Sequence, residues 1–169
     1  MAKRLFLMAG APGSGKSTFA KNNMIPGRTC YISRDEVRFE LVSETEPYFS
    51  KEKQVFNEFV RRISEGLKLY DDVIADATHL NEKSRIKILS RLYPYLDNTD
   101  IIIIYMQTPL DICLERNETR QGTRAYVPPE ELCNMFYAAK EPTYTEYNGM
   151  YDLIYLVEPD GHVHIVERE

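Results

Sequence analysis

The chain has 169 residues, 43% of them hydrophobic and 28% charged, with a formal net charge of −5. That length suits one compact domain spanning residues 1–169 and leaves no room for a second catalytic one, while the balance excludes disorder and collagen-like repetition. Net negative charge argues against coating long nucleic acid by broad phosphate neutralisation, but not against a local basic pocket that grips one end.

Lys3 and Arg4 precede a short apolar run that ends at a glycine-rich loop instead of a small-residue cleavage site, so this run reads as a strand and not a signal peptide. Further apolar runs without alternation predict strands at 5–9, 29–32, 73–76, 101–106 and 153–157. Between them, leucine, isoleucine and phenylalanine recur at helical spacing over 16–24, 52–69, 81–92, 109–118 and 129–139. Asn81, and Thr108 before Pro109 and Asp111, supply N-cap signals. The turn at Pro159, Asp160 and Gly161 leaves 161–169 for a terminal hairpin strand. This rhythm predicts an α/β fold, a parallel sheet of about five strands with helices on both faces.

After the first strand, Gly10-Ala11-Pro12-Gly13-Ser14-Gly15-Lys16-Ser17 matches a phosphate-binding loop in full and opens a helix. Glycines let backbone N–H groups turn toward phosphates, and the helix N-terminus adds partial positive charge. Gly10, Pro12, Gly13, Ser14, Gly15, Lys16, Ser17 and Thr18 are therefore the expected nucleotide-binding residues. Lys16 is expected on the β- and γ-phosphates and Ser17 on Mg²⁺. The cofactors implied are ATP, or another nucleoside triphosphate, and Mg²⁺. The loop alone does not separate GTPases, ATPases and kinases.

Ser33-Arg34-Asp35-Glu36-Val37-Arg38 follows the second strand, at the catalytic edge of a doubly wound sheet. Asp35 and Arg38 share one face of a nascent helix, where an aspartate can take the proton of an attacking hydroxyl and an arginine can grip a phosphate. A capping acid with a surface salt bridge is the plainer reading of the same spacing. Asp76 ends the third strand, placed either to hold Mg²⁺ or to cap the following turn. Thr78 and Asn81 read as caps and loop braces, and His79 as a candidate acceptor contact. Arg116 and Arg120, followed by Gly122, Pro128 and Pro129, suggest an arginine-bearing lid over about 116–128 that neutralises charge on a migrating phosphoryl group; a solvated basic face is the alternative. Base and lid together favour a kinase over a switch.

These residues resemble the kinase module of bacteriophage-type 5′-polynucleotide kinases, within the wider zeta-toxin-like group of P-loop kinases. The likeness rests on Pro12–Ser17, Ser33–Arg38, the Asp76–Asn81 stretch, Arg116-Asn117, Arg120, Gly122-Thr123, Ala125, Val127-Pro128 and Met135-Phe136-Tyr137. It implies that Asp35 is the general base for a 5′-hydroxyl, Arg38 holds the neighbouring phosphate, Arg120 contacts the donor phosphates and Arg116 assists. Gln121 and Tyr126 depart from the family's lid as insertions, leaving Tyr126 to stack on an acceptor base or pack on Phe136. No phosphatase domain follows the kinase module, so a separate phosphatase or ligase is the partner this implies.

The expected activity is thus ATP-dependent phosphorylation of a 5′-hydroxyl end of DNA or RNA, with a kinase for a small molecule or modified base, or a non-catalytic ATP-binding switch, as alternatives. Tyr137, Tyr144, Tyr147 and Tyr151 are either a base-stacking surface or core. Cys30, Cys113 and Cys133, odd in number and scattered, read as reduced thiols. With no apolar stretch long enough for a bilayer, a cytoplasmic protein without membrane contact is expected.

Overall fold

The chain runs β1 (Lys3–Ala9), α1 (Lys16–Asn22), β2 (Thr29–Ser33), α2 (Arg34–Leu41), α3 (Glu52–Leu69), β3 (Asp72–Asp76), α4 (Glu82–Leu92), β4 (Thr99–Met106), α5 (Leu110–Glu118), α6 (Pro129–Ala138), β5 (Leu153–Val157) and β6 (Val163–Ile165) in the computed structural model, which describes residues 2–169. The strands form one sheet in the order β2-β3-β1-β4-β5-β6. Among the described residues only the β5–β6 pair, the expected terminal hairpin, is antiparallel. The strand order reverses around β1, and the crevice beyond the carboxyl ends of β1, β2 and β3 is where such a sheet takes its ligand.

Alternate strand residues face opposite layers. Leu5, Leu7 and Ala9 join Val73, Ala75, Ile101 and Ile103 in a core closed by Phe59 and Ile63 of α3 and Ile88 and Leu92 of α4. Met8, Ile74, Ile102 and Ile104 face the other way, against Ala20 and Phe19 of α1. Each fully buried aliphatic or aromatic side chain contributes about 1.5–3 kcal/mol. A smaller cluster of Ala11, Cys113 and Leu132, with Val127 and Phe136 against it, backs the glycine-rich loop with α5 and α6.

The sequence expectations shift in several places. Asn81 caps α4 through a reciprocal box with Ser84, as its position implies. Thr108 does not cap α5: its hydroxyl donates instead to the Ser14 carbonyl at 2.7 Å, tying β4 to the glycine-rich loop. The nascent helix is a full element, α2, capped by Ser33, whose hydroxyl accepts from the Glu36 N–H. The tyrosine surface does not form. Tyr151 is buried, Tyr144 and Tyr147 pack against the larger core, and Tyr137 is left exposed. Behind them lies an unanticipated buried ion pair, in which Arg85 meets Glu146 twice, at 2.9 and 2.6 Å, and the Tyr151 hydroxyl also donates to Glu146. Among the described residues no helix is long and apolar enough to cross a membrane, and the three cysteines are free thiols.

Candidate active site

A cleft of about 580 Å³ opens at the carboxyl edge of the sheet. Its floor is the glycine-rich loop. Gly13 has φ 79°, and a Cβ there would come within 2.6 Å of the Cys113 carbonyl oxygen, so only glycine lets the loop lie against α5. Gly10 has φ 143° and packs against Ser14 and Met106, while its N–H donates to the Thr78 carbonyl at 2.8 Å. The Lys16 ammonium donates to the Ala11 carbonyl at 3.0 Å, curling back over the loop. Desolvation in the cleft lowers the Lys16 pKa from its ordinary value, against the pull of Asp76 and Asp35.

Pro12, Gly13, Gly15, Lys16, Ser17 and Thr18 line the cleft; Gly10, Ser14 and Arg116 do not. Ser14 is buried and its hydroxyl has no partner. Arg116 reaches the loop through a 3.3 Å hydrogen bond from its Nη1 to the Gly13 carbonyl.

At one corner the Ser17 hydroxyl donates to Asp76 at 2.6 Å, and the Tyr31 hydroxyl donates to the same carboxylate oxygen. Among the described residues no capping contact from Asp76 to the following turn accompanies them. Burial and the Asp76 carboxylate hold the Tyr31 hydroxyl well above the usual phenol range. Among the described residues no group of three or more His, Cys, Asp or Glu side chains is set to hold a metal ion. A hydroxyl beside a carboxylate nevertheless fits Mg²⁺, a hard cation held by one or two protein oxygens with phosphates and waters completing the octahedron.

Across from Lys16, α2 contributes Asp35 and Arg38 to the same cleft. Arg38 Nη1 donates to Asp35 at 2.5 Å, and its Nε and Nη2 meet both oxygens of Glu52 at 2.6 and 3.0 Å. Arg34 Nη2 reaches the same Glu52 at 3.2 Å. The Tyr48 hydroxyl bridges Asp35 and Arg38, 3.2 Å from each, and the Arg38 guanidinium lies 4.8 Å from the Tyr48 ring centroid. Burial and the Asp35 charge push the Tyr48 hydroxyl up to about 12. Burial is the strongest single influence on Arg38 and opposes its charge, but the Glu52 hydrogen bonds together with the electrostatic pull of Tyr48, Glu52 and Asp35 outweigh it, and its pKa ends above the ordinary arginine value. The salt bridge of the plainer reading is therefore present, as one edge of a larger network that leaves the Asp35 side chain 62% exposed.

The roof is the segment between α5 and α6, from which Arg120, Ala125, Tyr126, Val127 and Pro128 line the cleft. Buried Asn117 clamps its base, donating to the Val127 carbonyl at 2.6 Å and accepting from the Val127 N–H at 3.0 Å. Arg124 ties its tip to the far wall through the carbonyls of Phe39, at 3.0 Å, and Val42. Tyr126 faces the cleft, and no aromatic pair joins it to Phe136 among the described residues.

His79 is not an acceptor contact. It is 5% exposed, its Nδ1 lies 2.6 Å from the Met8 carbonyl, and burial pulls its pKa down to about 4. Sequence reasoning missed Tyr31, Tyr48, Glu52 and Asn117. Glu52 stood only as a first-turn helix residue, Asn117 only as part of the lid resemblance with no role, and the loop carrying Tyr48 has no periodicity; Tyr31 had a positional signal, two residues before Ser33 at the end of its strand.

The family model AAA_33, described as an AAA domain, matches residues 5–142. An L-seryl-tRNA(Sec) kinase of Methanococcus maripaludis is 30% identical over 137 residues, 78% of this chain and 51% of that protein. A protein of Acanthamoeba polyphaga mimivirus that carries the name bifunctional polynucleotide phosphatase/kinase is 42% identical over 55 residues, 31% of this chain and 13% of its own length. The chain thus spans about half of the first relative and far less of the second. Two structures of a Pnkp1/Rnl/Hen1 complex, one described as an RNA repair complex, contain a similar fold. The repair complex superposes with TM-score 0.65 at 24% identity, over 81% of this chain and 44% of the other. The second gives TM-score 0.56 at 25% identity, over 68% and 39%.

Proposed function

Because the chain belongs to the AAA_33 family of P-loop kinase domains, we propose that it transfers the γ-phosphate of ATP to the 5′-hydroxyl end of DNA or RNA. One observation carries this reading: Asp35 and Arg38 share a cleft with Lys16, with Arg120 over it. The relative named polynucleotide phosphatase/kinase supports the same acceptor.

In this mechanism the loop N–H groups and Lys16 hold the β- and γ-phosphates. Ser17 and Asp76 would hold Mg²⁺, which when bound would offset charge on the phosphate oxygens. Arg38 grips the phosphate beside the acceptor hydroxyl and brings that oxygen in line with the γ-phosphorus. Asp35 takes the hydroxyl proton as the new oxygen–phosphorus bond forms. The bond to the β–γ bridging oxygen breaks, ADP keeps the electron pair, and Arg120 neutralises charge on the group in transit. The roof segment excludes water, which would otherwise compete as acceptor.

The relative named L-seryl-tRNA(Sec) kinase favours a second reading, in which the hydroxyl is not a 5′ end. Labelled ATP, Mg²⁺ and a panel of 5′-hydroxyl DNA, 5′-hydroxyl RNA, nucleoside 3′-phosphates and seryl-tRNA distinguishes the two. Label in the oligonucleotides, lost in Asp35→Asn while ATP still binds, is the expected result. Label only in seryl-tRNA, or full turnover by Asp35→Asn, overturns the proposal.

A further inference from the structure

The molecule carries a net charge of −5, yet a basic ridge leaves one side of the cleft. It begins at Arg34, which lines the cleft at the start of α2. The Arg34 guanidinium lies 5.4 Å from the Phe56 ring centroid, Lys87 Nζ lies 4.5 Å from it, and the Arg91 guanidinium 5.5 Å. Three cations from two helices, α2 and α4, therefore gather on one aromatic ring of α3, no two of them farther apart than twice the longest of those distances. Lys83, Lys87 and Arg91 recur every four residues on α4 and form a stripe along its exposed side.

Like charges packed this closely repel, and elsewhere in this protein clustered cations are paired. Arg61 and Arg62 share Glu58, and Arg4 and Arg28 share Asp72. On the ridge, Arg34 shares Glu52 with Arg38, and the one side-chain hydrogen bond of Arg91 among the described residues goes to neutral Asn57, at 3.0 Å. Among the described residues no carboxylate forms a salt bridge with Lys83, Lys87 or Arg91. Both α3 and α4 start at the catalytic edge of the sheet and run away from it, since each lies antiparallel to the strands it covers, so the ridge leads outward from Arg38.

We propose that Arg34, Lys87 and Arg91, with Lys83 beside them, form a track for the backbone phosphates of the acceptor strand on the 3′ side of the nucleotide being phosphorylated. The proposal rests on the nucleic-acid reading above and deepens it: the acceptor is a polymer, held by a line of cations, and not a single nucleotide. Phosphate neutralisation by a few cations adds affinity without reading sequence, so the track makes strand length, not base identity, the recognised property.

The test compares a long 5′-hydroxyl oligonucleotide with a nucleoside 3′-phosphate, which ends before the track. In Lys87→Gln/Arg91→Gln, the KM for the oligonucleotide is expected to rise about tenfold at low salt, and the slope of log affinity against log salt to become shallower by about 1.4 for two lost contacts to a single strand. The KM for the nucleoside 3′-phosphate and for ATP stays unchanged. Arg61→Gln/Lys68→Gln, an equal charge change on other turns of α3, leaves the oligonucleotide KM and slope unchanged, and Lys87→Arg/Arg91→Lys restores both. Equal losses for both acceptors, an unchanged salt slope, or an equal effect in the Arg61/Lys68 variant overturns the track while leaving the kinase reading in place. If the unaltered protein phosphorylates neither acceptor, the nucleic-acid reading itself falls and the track with it.

Discussion

Asn117 and Val127 face each other across ten residues of chain, the amide side chain of one satisfying both the N–H and the carbonyl of the other. Asn117 is completely buried, so this pair fixes the span of the loop that roofs the cleft. Replacing it with alanine leaves two half-buried backbone groups of Val127 without their partner, at up to about 1–3 kcal/mol. Asn117→Ala is expected to melt roughly 2–10 °C lower in a chain of this size. Turnover should fall further than the melting shift implies, because Arg120 sits within the released loop. Unchanged turnover with a lowered melting temperature would separate the roof from the chemistry.

Glu52 is the counter-ion of Arg38, accepting from two of its guanidinium nitrogens and from Arg34. Glu52→Gln keeps the shape and removes the charge that aims the fork. Each charge-assisted hydrogen bond is worth about 1.5–3 kcal/mol, so the acceptor KM is expected to rise tenfold or more while ATP affinity holds. Separate titrations of the two substrates check this, and a parallel loss for ATP would count against it.

Tyr31 orients the Asp76 carboxylate from the neighbouring strand. Partners behind a metal ligand are typically worth about 10–100-fold in metal affinity. Tyr31→Phe should therefore raise the Mg²⁺ concentration for half-maximal activity about tenfold, with little change at saturating Mg²⁺. A Mg²⁺ titration of both proteins is decisive.

The neutral form of His79 is part of the fold, since burial holds its pKa at about 4 against an ordinary value of 6.5. Above pH 6.5 folded and unfolded chains both carry it neutral, and its contribution is complete. As the pH falls from 6.5 to 4 the unfolded chain takes up a proton that the folded one refuses, and stability drops by up to about 3 kcal/mol. Melting temperature should fall across that window. His79→Asn, a residue type that tolerates the local φ of 38°, should flatten the fall.

The fold was legible because its signals are local. Unalternating apolar runs mark strands covered on both faces, and the glycine-rich loop announces itself by spacing. Asp35 and Arg38 were visible for the same reason, three residues apart on one helix. Glu52 and Tyr48 were not, because they meet Arg38 only where a loop with no pattern folds α3 back against α2. Thr108 misled because its position suits a cap, while its hydroxyl has a stronger claim in the Ser14 carbonyl, more than ninety residues back in the chain. His79 misled because a polar residue in a loop after a strand is ordinarily exposed.

β1 lies at the middle of the sheet, yet its two neighbours begin at Asp72 and Thr99. β1 therefore stays without its second partner over nearly a hundred residues of chain, and until Met106 has been made the glycine-rich loop has no finished frame to bend against. Nucleotide cannot act as an early folding template here; slow, non-local closure around β1 should set the pace of maturation.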